Sequence, residues 1–223
     1  MPATARENKM TLAYRIIRDH IAQGTWQPGE RFSTFGLARR TGIGRTTIND
    51  AIRLLEKRGF VRILPNVGFE VRPLHRREVL EYLEARLEIE RLLWRHLAER
   101  GDAEILREIR EILSVARASA RDENPEAAMQ ALEEFHRRLL GVLVSGFVQT
   151  LFAEADDMEF VLLWRVCRAE PASFAEILSA KEAVLDAVLE RDESRIGRGL
   201  ADLNARMRAF VERSLPEEED RDA

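Results

Sequence analysis

The side chains best suited to chemistry cluster at the start of one short segment with helical periodicity. Its first turns carry Arg45, Thr46, Thr47 and Asn49, and the next turn carries Arg53. An arginine pairs with guanine or a phosphate, an asparagine pairs with adenine, and threonine hydroxyls donate to phosphates. A helix that enters the major groove presents such side chains to base edges from its N-terminal end. The segment therefore predicts contact with double-stranded DNA.

A hairpin tip and neighbouring basic side chains extend this predicted contact. Asn66 and Gly68 lie at a turn between two short apolar runs, and such a tip is slim enough to approach a minor groove. Arg39 is expected to contact phosphates, which makes binding salt-dependent. Further basic residues that could do the same are Arg40, Lys57, Arg58 and Arg62. Taken singly, each of these side chains is equally consistent with a solvated helix face.

A second set of polar groups interrupts apolar stretches in the C-terminal two-thirds of the chain. These groups are Arg86, His136, Arg165, Lys181 and Asn204. Cations inside a helical bundle can hold the carboxylate of a small organic effector. The alternatives are that Arg86 pairs with an internal acid, that His136 is a core histidine, and that Lys181 lies on the surface.

Charge is divided unevenly along the 223 residues, whose net charge is −4. Residues 1–77 hold 15 basic and 6 acidic side chains, a net charge of +9, and the rest of the chain has a net charge of −13. A basic segment followed by an acidic one indicates that the first part meets a polyanion. The single cysteine, Cys167, excludes an intrachain disulfide framework and is expected to be buried.

No apolar stretch approaches the ~18 residues that a membrane span needs. Residues 1–9 contain no apolar core of a signal peptide. The sequence therefore predicts a protein of the cytoplasm that does not associate with membranes.

The basic segment reads as three helices and a hairpin. Apolar spacing predicts helices over residues 11–23, 33–40 with Ser33 as cap, and up to residue 58, with Gly59 after the last one. Two β runs follow, residues 60–64 and 67–71, with a turn between them. This order is typical of a winged helix-turn-helix, which is the element that would place the polar residues described above on DNA.

The segment resembles the DNA-binding domain of the GntR family over about residues 12–73. The matching residues are Tyr14-x-x-Ile17, Gly24, Pro28-Gly29-Glu30-Arg31-Phe32, Leu37-Ala38, the run from Gly42 to Ile52, Leu55-Glu56, Gly59-Phe60-Val61 and Pro65-x-x-Gly68-x-x-Val71. The resemblance implies a homodimeric regulator that binds a palindromic operator. The family usually has Ser at Gly44 and Arg at Asn49, and many acyl-responsive members have Arg at Phe35. These departures imply a different operator.

From residue 76 the chain reads as six long helices, with a capping box predicted at Ser173-x-x-Glu176. We expect an all-α antiparallel bundle. It resembles the FCD ligand-sensing domain of the FadR-like branch of that family, through Arg86-x-x-x-Glu90, Phe135-His136 and Val184-x-x-Ala187-Val188-x-x-x-Asp192. The predicted organisation is a winged helix at 1–73, an FCD-like effector and dimerisation domain at 74–215, and a disordered acidic tail at 216–223.

Many FCD domains hold a metal through an Asp and a His four residues apart and two further His. Here His136 is present, but the Asp position is Leu132, the second His position is Lys181, and the third is Leu203 or Asn204. One imidazole facing a cation is a poor divalent site. The resemblance and its departures therefore predict no metal, and no other cofactor is expected.

Together these patterns predict a DNA-binding transcriptional regulator whose operator affinity responds to a small carboxylate. The alternatives are an orphan regulator without a small-molecule effector and an interaction or ligand-storage module that no longer reads an operator. An enzyme is not expected, because no glycine-rich phosphate loop, Ser/His/Asp arrangement or zinc-ligand spacing is found.

Overall fold

A computed structural model describes residues 8–217, and these divide into two compact units with the boundary between Leu74 and His75. The predicted acidic tail lies mostly outside the described residues. Its first two residues are held in place, since the Pro216 carbonyl accepts a hydrogen bond from the Arg76 amide and Glu217 pairs with the Arg76 guanidinium at 2.5 Å.

The N-terminal unit has the order α1-β1-α2-α3-β2-β3. Its elements are α1 (Lys9–Ala22), β1 (Arg31–Phe32), α2 (Thr34–Thr41), α3 (Arg45–Lys57), β2 (Val61–Leu64) and β3 (Gly68–Val71). Ser33 caps α2 as predicted, and Gly42 ends that helix in the left-handed conformation. Gly44 caps α3 through its backbone alone, so no side chain satisfies the first amides of that helix.

The wing is a three-stranded antiparallel sheet of order β1-β3-β2, whereas the sequence analysis predicted two strands. Strand β1 has two residues, which is too short to show an alternating pattern. It pairs Phe32 with Phe69, and the Phe32 ring stacks on Trp26 with centroids 4.0 Å apart. The extra strand therefore joins the wing to the core of this unit.

The structure explains why position 68 is a glycine, a requirement that was not predicted from the sequence. It opens β3 opposite Leu64 with a φ of +142°. A Cβ at this position would lie 2.0 Å from the Phe32 carbonyl oxygen, so the close approach of β1 requires glycine.

The C-terminal unit consists of six helices in its described part, as predicted. They are α4 (Arg76–Arg100), α5 (Ala103–Arg121), α6 (Pro125–Leu140), α7 (Gly146–Ala169), α8 (Pro171–Leu189) and α9 (Glu193–Ser214). Side chains that accept from the first-turn amides cap four of them: Asp102, Asn124, Ser145 and Asp192.

The predicted capping box at Ser173 and Glu176 is wrong, because α8 begins at Pro171, three residues before the start that a Ser173 cap implies. Pro171 occupies the first turn, and the hydroxyl of Ser173 donates to the Glu170 carboxylate at 2.7 Å. Proline favours the first helical position, where its missing amide costs nothing.

Packing in this unit pairs α5 with α6, and α8 and α4 with α9. The rings of Trp94 and Phe135 lie 5.9 Å apart at its centre, and both are buried. Cys167 is buried as predicted, and burial raises the pKa of its thiol to about 11. Among the described residues, no helix combines the length and apolar character needed to cross a membrane.

Candidate DNA-binding surface and buried charge cluster

Helix α3 has one buried face and one exposed polar face. Ile48, Ala51, Ile52 and Leu55 are buried against the rest of the unit. The opposite side exposes Arg45, Thr46, Asn49 and Arg53, and Thr47 is half-buried beside them. Residues 45, 49 and 53 are four apart and so lie along one stripe. The structure thus brings the predicted base-reading residues together on a surface of the protein.

Arg45 makes no ion pair within the described residues, and the ring of Phe35 is the group it contacts. Arg53 lies 4.0 Å from Asp50, a solvent-exposed pair that contributes little. Arg39 is exposed near the end of α2 and likewise has no acidic partner in the described chain. An unpaired guanidinium on a surface keeps its donors available for a phosphate or a base.

The wing tip exposes Asn66, which has a left-handed φ of +61°, and Val67, whereas Gly68 is half-buried. Two further basic residues are engaged within the unit rather than free for phosphates. Arg58 donates to the Tyr14 hydroxyl at 2.8 Å, and Arg62 pairs with Glu70 at 2.6 Å. Their predicted phosphate contacts would need these bonds to break.

Five ionisable side chains from three helices meet inside the C-terminal unit. Helix α4 supplies Arg86 and Glu90, α7 supplies Asp156 and Glu159, and α8 supplies Lys181. Four of them are buried, with Lys181 only 2% exposed, and Asp156 is half-buried. Lys181 is therefore an interior residue rather than a surface one, because its ammonium finds carboxylates inside the bundle.

Glu159 is the centre of this cluster. Its Oε1 accepts from the Lys181 ammonium at 3.0 Å, and its Oε2 pairs with the Arg86 guanidinium. Arg86 also donates to Asp156 at 2.5 Å and to Glu90 at 3.4 Å. Burial alone would raise the pKa of Glu159, but Arg86 and Lys181 outweigh it and hold that pKa well below its usual range.

His136 approaches the same carboxylate from α6. Its Nε2 lies 3.5 Å from Glu159 Oε2 and makes no hydrogen bond with the described residues. Burial lowers the pKa of His136, an effect that the nearby carboxylates only partly offset, so the imidazole is neutral at pH 7. With two cations and three carboxylates, the cluster then carries a net charge of −1.

Asn204 joins the cluster from α9, and Arg165 does not. The Asn204 side-chain amide donates to the Leu83 carbonyl at 2.6 Å and lines a cavity beside Arg86 and Lys181. Arg165 is half-buried on another side of α7, because it lies two residues beyond the cavity-lining Leu163, or about 200° around the helix. Burial lowers the pKa of Arg165. The structure therefore brings four of the five predicted effector residues together and leaves Arg165 apart from them.

The cavity at this cluster has a volume of about 30 Å³, between α4, α7, α8 and α9. That volume has room for a water or two. Pockets for organic ligands are about ten times larger. Both buried cations already have carboxylate partners, so the described arrangement neither accommodates nor requires an external carboxylate.

The metal of related FCD domains does not fit these residues. His136, Asp156 and Glu159 offer donor atoms within 4.8 Å of one another. However, Glu159 already binds two cations, and Lys181 holds its ammonium where a second histidine is expected. A divalent ion there would lie beside two fixed positive charges, which disfavours it.

Asp156 and Glu159 are members of the cluster that were not predicted from the sequence. Their signal is a pair of acids three residues apart, on one face of a helix that continues as an uninterrupted apolar run, Phe160–Trp164. Acids in such a context face the interior only when cations on other helices meet them. The predicted alternative that Arg86 pairs with an internal acid is confirmed, whereas Lys181 was expected to bind a ligand or to lie on the surface.

Comparison with protein families assigns both units. The model of "Bacterial regulatory proteins, gntR family" matches residues 11–71, and the model of the FCD domain matches residues 81–217. Two relatives are the uncharacterized HTH-type transcriptional regulator YdhC of Bacillus subtilis, 26% identical over 146 residues, and the Nta operon transcriptional regulator of Aminobacter aminovorans, 28% identical over 121 residues. The alignments cover 65% and 52% of this chain and 65% and 55% of those proteins.

Solved structures share the fold. The chain is similar to McbR/YncC of E. coli, with a TM-score of 0.79 and 18% identity over 92% of this chain and 98% of that one. It is also similar to a GntR protein of Rhodococcus sp. RHA1 solved by structural genomics, with a TM-score of 0.73 and 20% identity over the same shares. At these identities the likeness concerns the fold alone.

The neutral buried imidazole predicts how stability depends on pH. An unfolded His136 takes up a proton near pH 6.5, whereas the folded one resists it, so the free energy of unfolding falls as pH drops below about 6.5. One such group contributes up to about 1.4 kcal/mol per pH unit. We expect His136→Gln to reduce this slope in urea titrations between pH 7 and 5.

The control for this prediction is His96→Gln, which changes a histidine paired with the exposed Glu99. Burial also lowers the pKa of His20 in the N-terminal unit. His20 therefore adds a pH dependence of the same sign to the stability of wild type and of each variant. A slope that is the same in wild type and His136→Gln would show that the buried imidazole does not govern acid stability.

Proposed function

Because the chain belongs to the GntR family of bacterial transcriptional regulators and carries an FCD domain, we propose that its α3 inserts the stripe of Arg45, Asn49 and Arg53 into the major groove of an operator. The observation that carries this proposal is the exposed face of α3, where Arg45 has no acidic partner among the described residues. An unpaired guanidinium at the N-terminal end of such a helix suits bidentate contact with guanine.

The backbone supports the same placement. Gly44 leaves the first amides of α3 without a side-chain cap, so these amides can donate to a phosphate at the positive end of the helix dipole. Thr46 and Thr47 lie in the same turn and can add hydroxyl donors. Arg39 on α2 and Asn66 at the wing tip complete the proposed contact, to a phosphate and to the minor groove respectively. Gly68 supports the wing through its close packing on β1, and its contact with DNA stays a prediction.

The test separates base reading from phosphate contact. We expect Arg45→Ala to weaken operator binding by about tenfold to a hundredfold and to relax the preference at one base pair. Arg39→Ala should weaken all sequences alike and lower the slope of log affinity against log salt by about one. Fluorescence anisotropy titrations on DNA upstream of the gene and on random DNA, each at two salt concentrations, measure both effects.

A suitable control is Arg95→Ala, which removes an exposed arginine of the helical unit and should leave operator affinity unchanged. Operator affinity equal to wild type in Arg45→Ala would contradict the proposed orientation of α3.

We further propose that two copies meet through an uncharged patch at the start of α7. Val144, Phe147 and Leu151 are 86%, 81% and 51% exposed, and residues 142–153 contain no charged side chain. A contact across a two-fold axis presents a patch to itself, so an uncharged apolar patch avoids like-charge repulsion. A dimer would present two α3 helices to the half-sites of a palindrome.

This interface predicts the effect of one charge. Phe147→Asp should convert a dimer into a monomer in sedimentation velocity, because it places like charges opposite each other in an apolar contact. Val115→Asp, at an exposed apolar residue of α5, is the matched control and should remain dimeric. A Phe147→Asp protein that is as dimeric as wild type would exclude this patch as the interface.

We also propose that this regulator does not take up an organic anion beside Lys181. The geometry favours this alternative because the buried cations already pair with carboxylates of the protein. Glu159 occupies the position that an effector carboxylate would take between the two cations. An effector must therefore displace an intramolecular carboxylate from a cavity of about 30 Å³.

Anion rescue tests this second proposal. Glu159→Ala removes the carboxylate that the two buried cations share and leaves Lys181 with only the more distant Glu90, at 3.9 Å, which we expect to cost about 3–5 kcal/mol. Formate or acetate should restore part of the lost thermal stability of Glu159→Ala, whereas chloride at equal ionic strength should not. Wild type and Glu134→Ala, which alters an exposed carboxylate paired with Arg137, should not respond to these anions.

If Glu159→Ala does not fold, Glu159→Ser provides the same comparison, because its short side chain also leaves room for a small carboxylate. A thermal shift of the wild-type protein with millimolar small carboxylates would favour the effector-binding alternative instead.

A further inference from the structure

Phe35 is an exposed aromatic residue on the surface proposed to face DNA. It is the second residue of α2, and the residue is 59% exposed. A single exposed apolar side chain is common in proteins and proves nothing by itself. What distinguishes Phe35 is its neighbour.

The guanidinium of Arg45 lies over the Phe35 ring, with Cζ 5.9 Å from the ring centroid. Arg45 has no ion pair among the described residues, so the ring is what orients it. A cation above an aromatic face is attracted by the ring quadrupole, and the attraction strengthens when water is excluded. DNA that covers this surface excludes water, so Phe35 holds Arg45 most firmly when the complex forms.

The ring has a second capacity that Arg45 lacks. In the major groove, thymine is distinguished by its C5 methyl group, which apolar side chains including phenylalanine contact. The guanidinium of Arg45 suits guanine, and the Phe35 ring lies next to that guanidinium. Together the two residues present a donor fork beside an apolar surface, which complements a guanine with a thymine next to it.

We propose that Phe35 determines specificity in operator recognition, an inference that rests on the proposed orientation of α3. It positions Arg45 and itself contacts the C5 methyl of a thymine adjacent to the base that Arg45 reads. An apolar contact contains no hydrogen bond or charge, so its removal changes the preferred sequence at one position without changing the salt dependence of binding.

The experiment removes the methyl group from the DNA and the ring from the protein. An operator is first selected by enrichment of random duplexes with the wild-type protein. Each thymine of one half-site is then replaced singly by deoxyuridine, and affinity is measured for wild type and Phe35→Ala. At one thymine we expect wild type to lose about fourfold in affinity, the amount for one buried methyl group, and Phe35→Ala to lose nothing further.

Val67→Ala is the matched control, since Val67 is 56% exposed and belongs to the turn between β2 and β3 rather than to α2. It should retain the fourfold loss at the same thymine. Phe35→Ala is expected to fold normally because its side chain is exposed, and circular dichroism melting checks this.

The outcomes are distinguishable. If, at each thymine, wild type and Phe35→Ala lose the same affinity on replacement by deoxyuridine, the role of Phe35 is overturned and the proposed function remains intact. The absence of any duplex enriched by wild type overturns the proposed function and the role of Phe35 together.

Discussion

The helical unit depends on one carboxylate between two buried cations. Burying an unpaired arginine or lysine costs several kcal/mol, and Glu159 is the carboxylate that meets both Arg86 and Lys181 most closely. Asp156 and Glu90 add further pairs to the same cations. Arg86, Lys181 and Glu159 come from α4, α8 and α7, and the interaction therefore ties three helices to one another. A helix that slid by one turn would leave a charge without a partner. The same pairing occupies the volume and satisfies the charges that an effector or a metal would otherwise use.

The N-terminal unit uses charge in the opposite way. Its interior is apolar, and the unpaired arginines Arg39 and Arg45 lie on the surface. An excess of positive charge near a protein surface raises the local concentration of a polyanion and its rate of association. Pairing inside the helical unit stabilises a fold, whereas the lack of pairing on α3 leaves donors for a partner. The division of charge along the sequence reflects these two uses.

Much of this could be predicted from the sequence because it depends on local periodicity and spacing. The buried face of α3, its exposed arginines and the six long helices all follow from patterns of three and four residues. Strand β1 was missed because two residues carry no period, and the cap of α8 was misplaced because Pro171 starts the helix before Ser173. The charge cluster was only half predicted. Its cations stood out in apolar stretches, and Glu90 lies four residues from Arg86 on the same helix, but Asp156 and Glu159 are on a different helix, and only tertiary packing brings them to the cations.

The departures from the family pattern around α3 share one chemical direction. Asn49 stands where arginine is usual, and asparagine suits adenine rather than guanine. Phe35 stands where many members have arginine, and a phenyl ring suits the thymine methyl. Each replacement thus removes a guanine reader and introduces a group that matches one member of an A·T pair. Arg45 remains as the side chain suited to guanine, and the ring beneath it restrains its position. If α3 binds DNA as proposed, we expect a half-site in which the base pair read by Arg45 is G·C and pairs next to it are A·T.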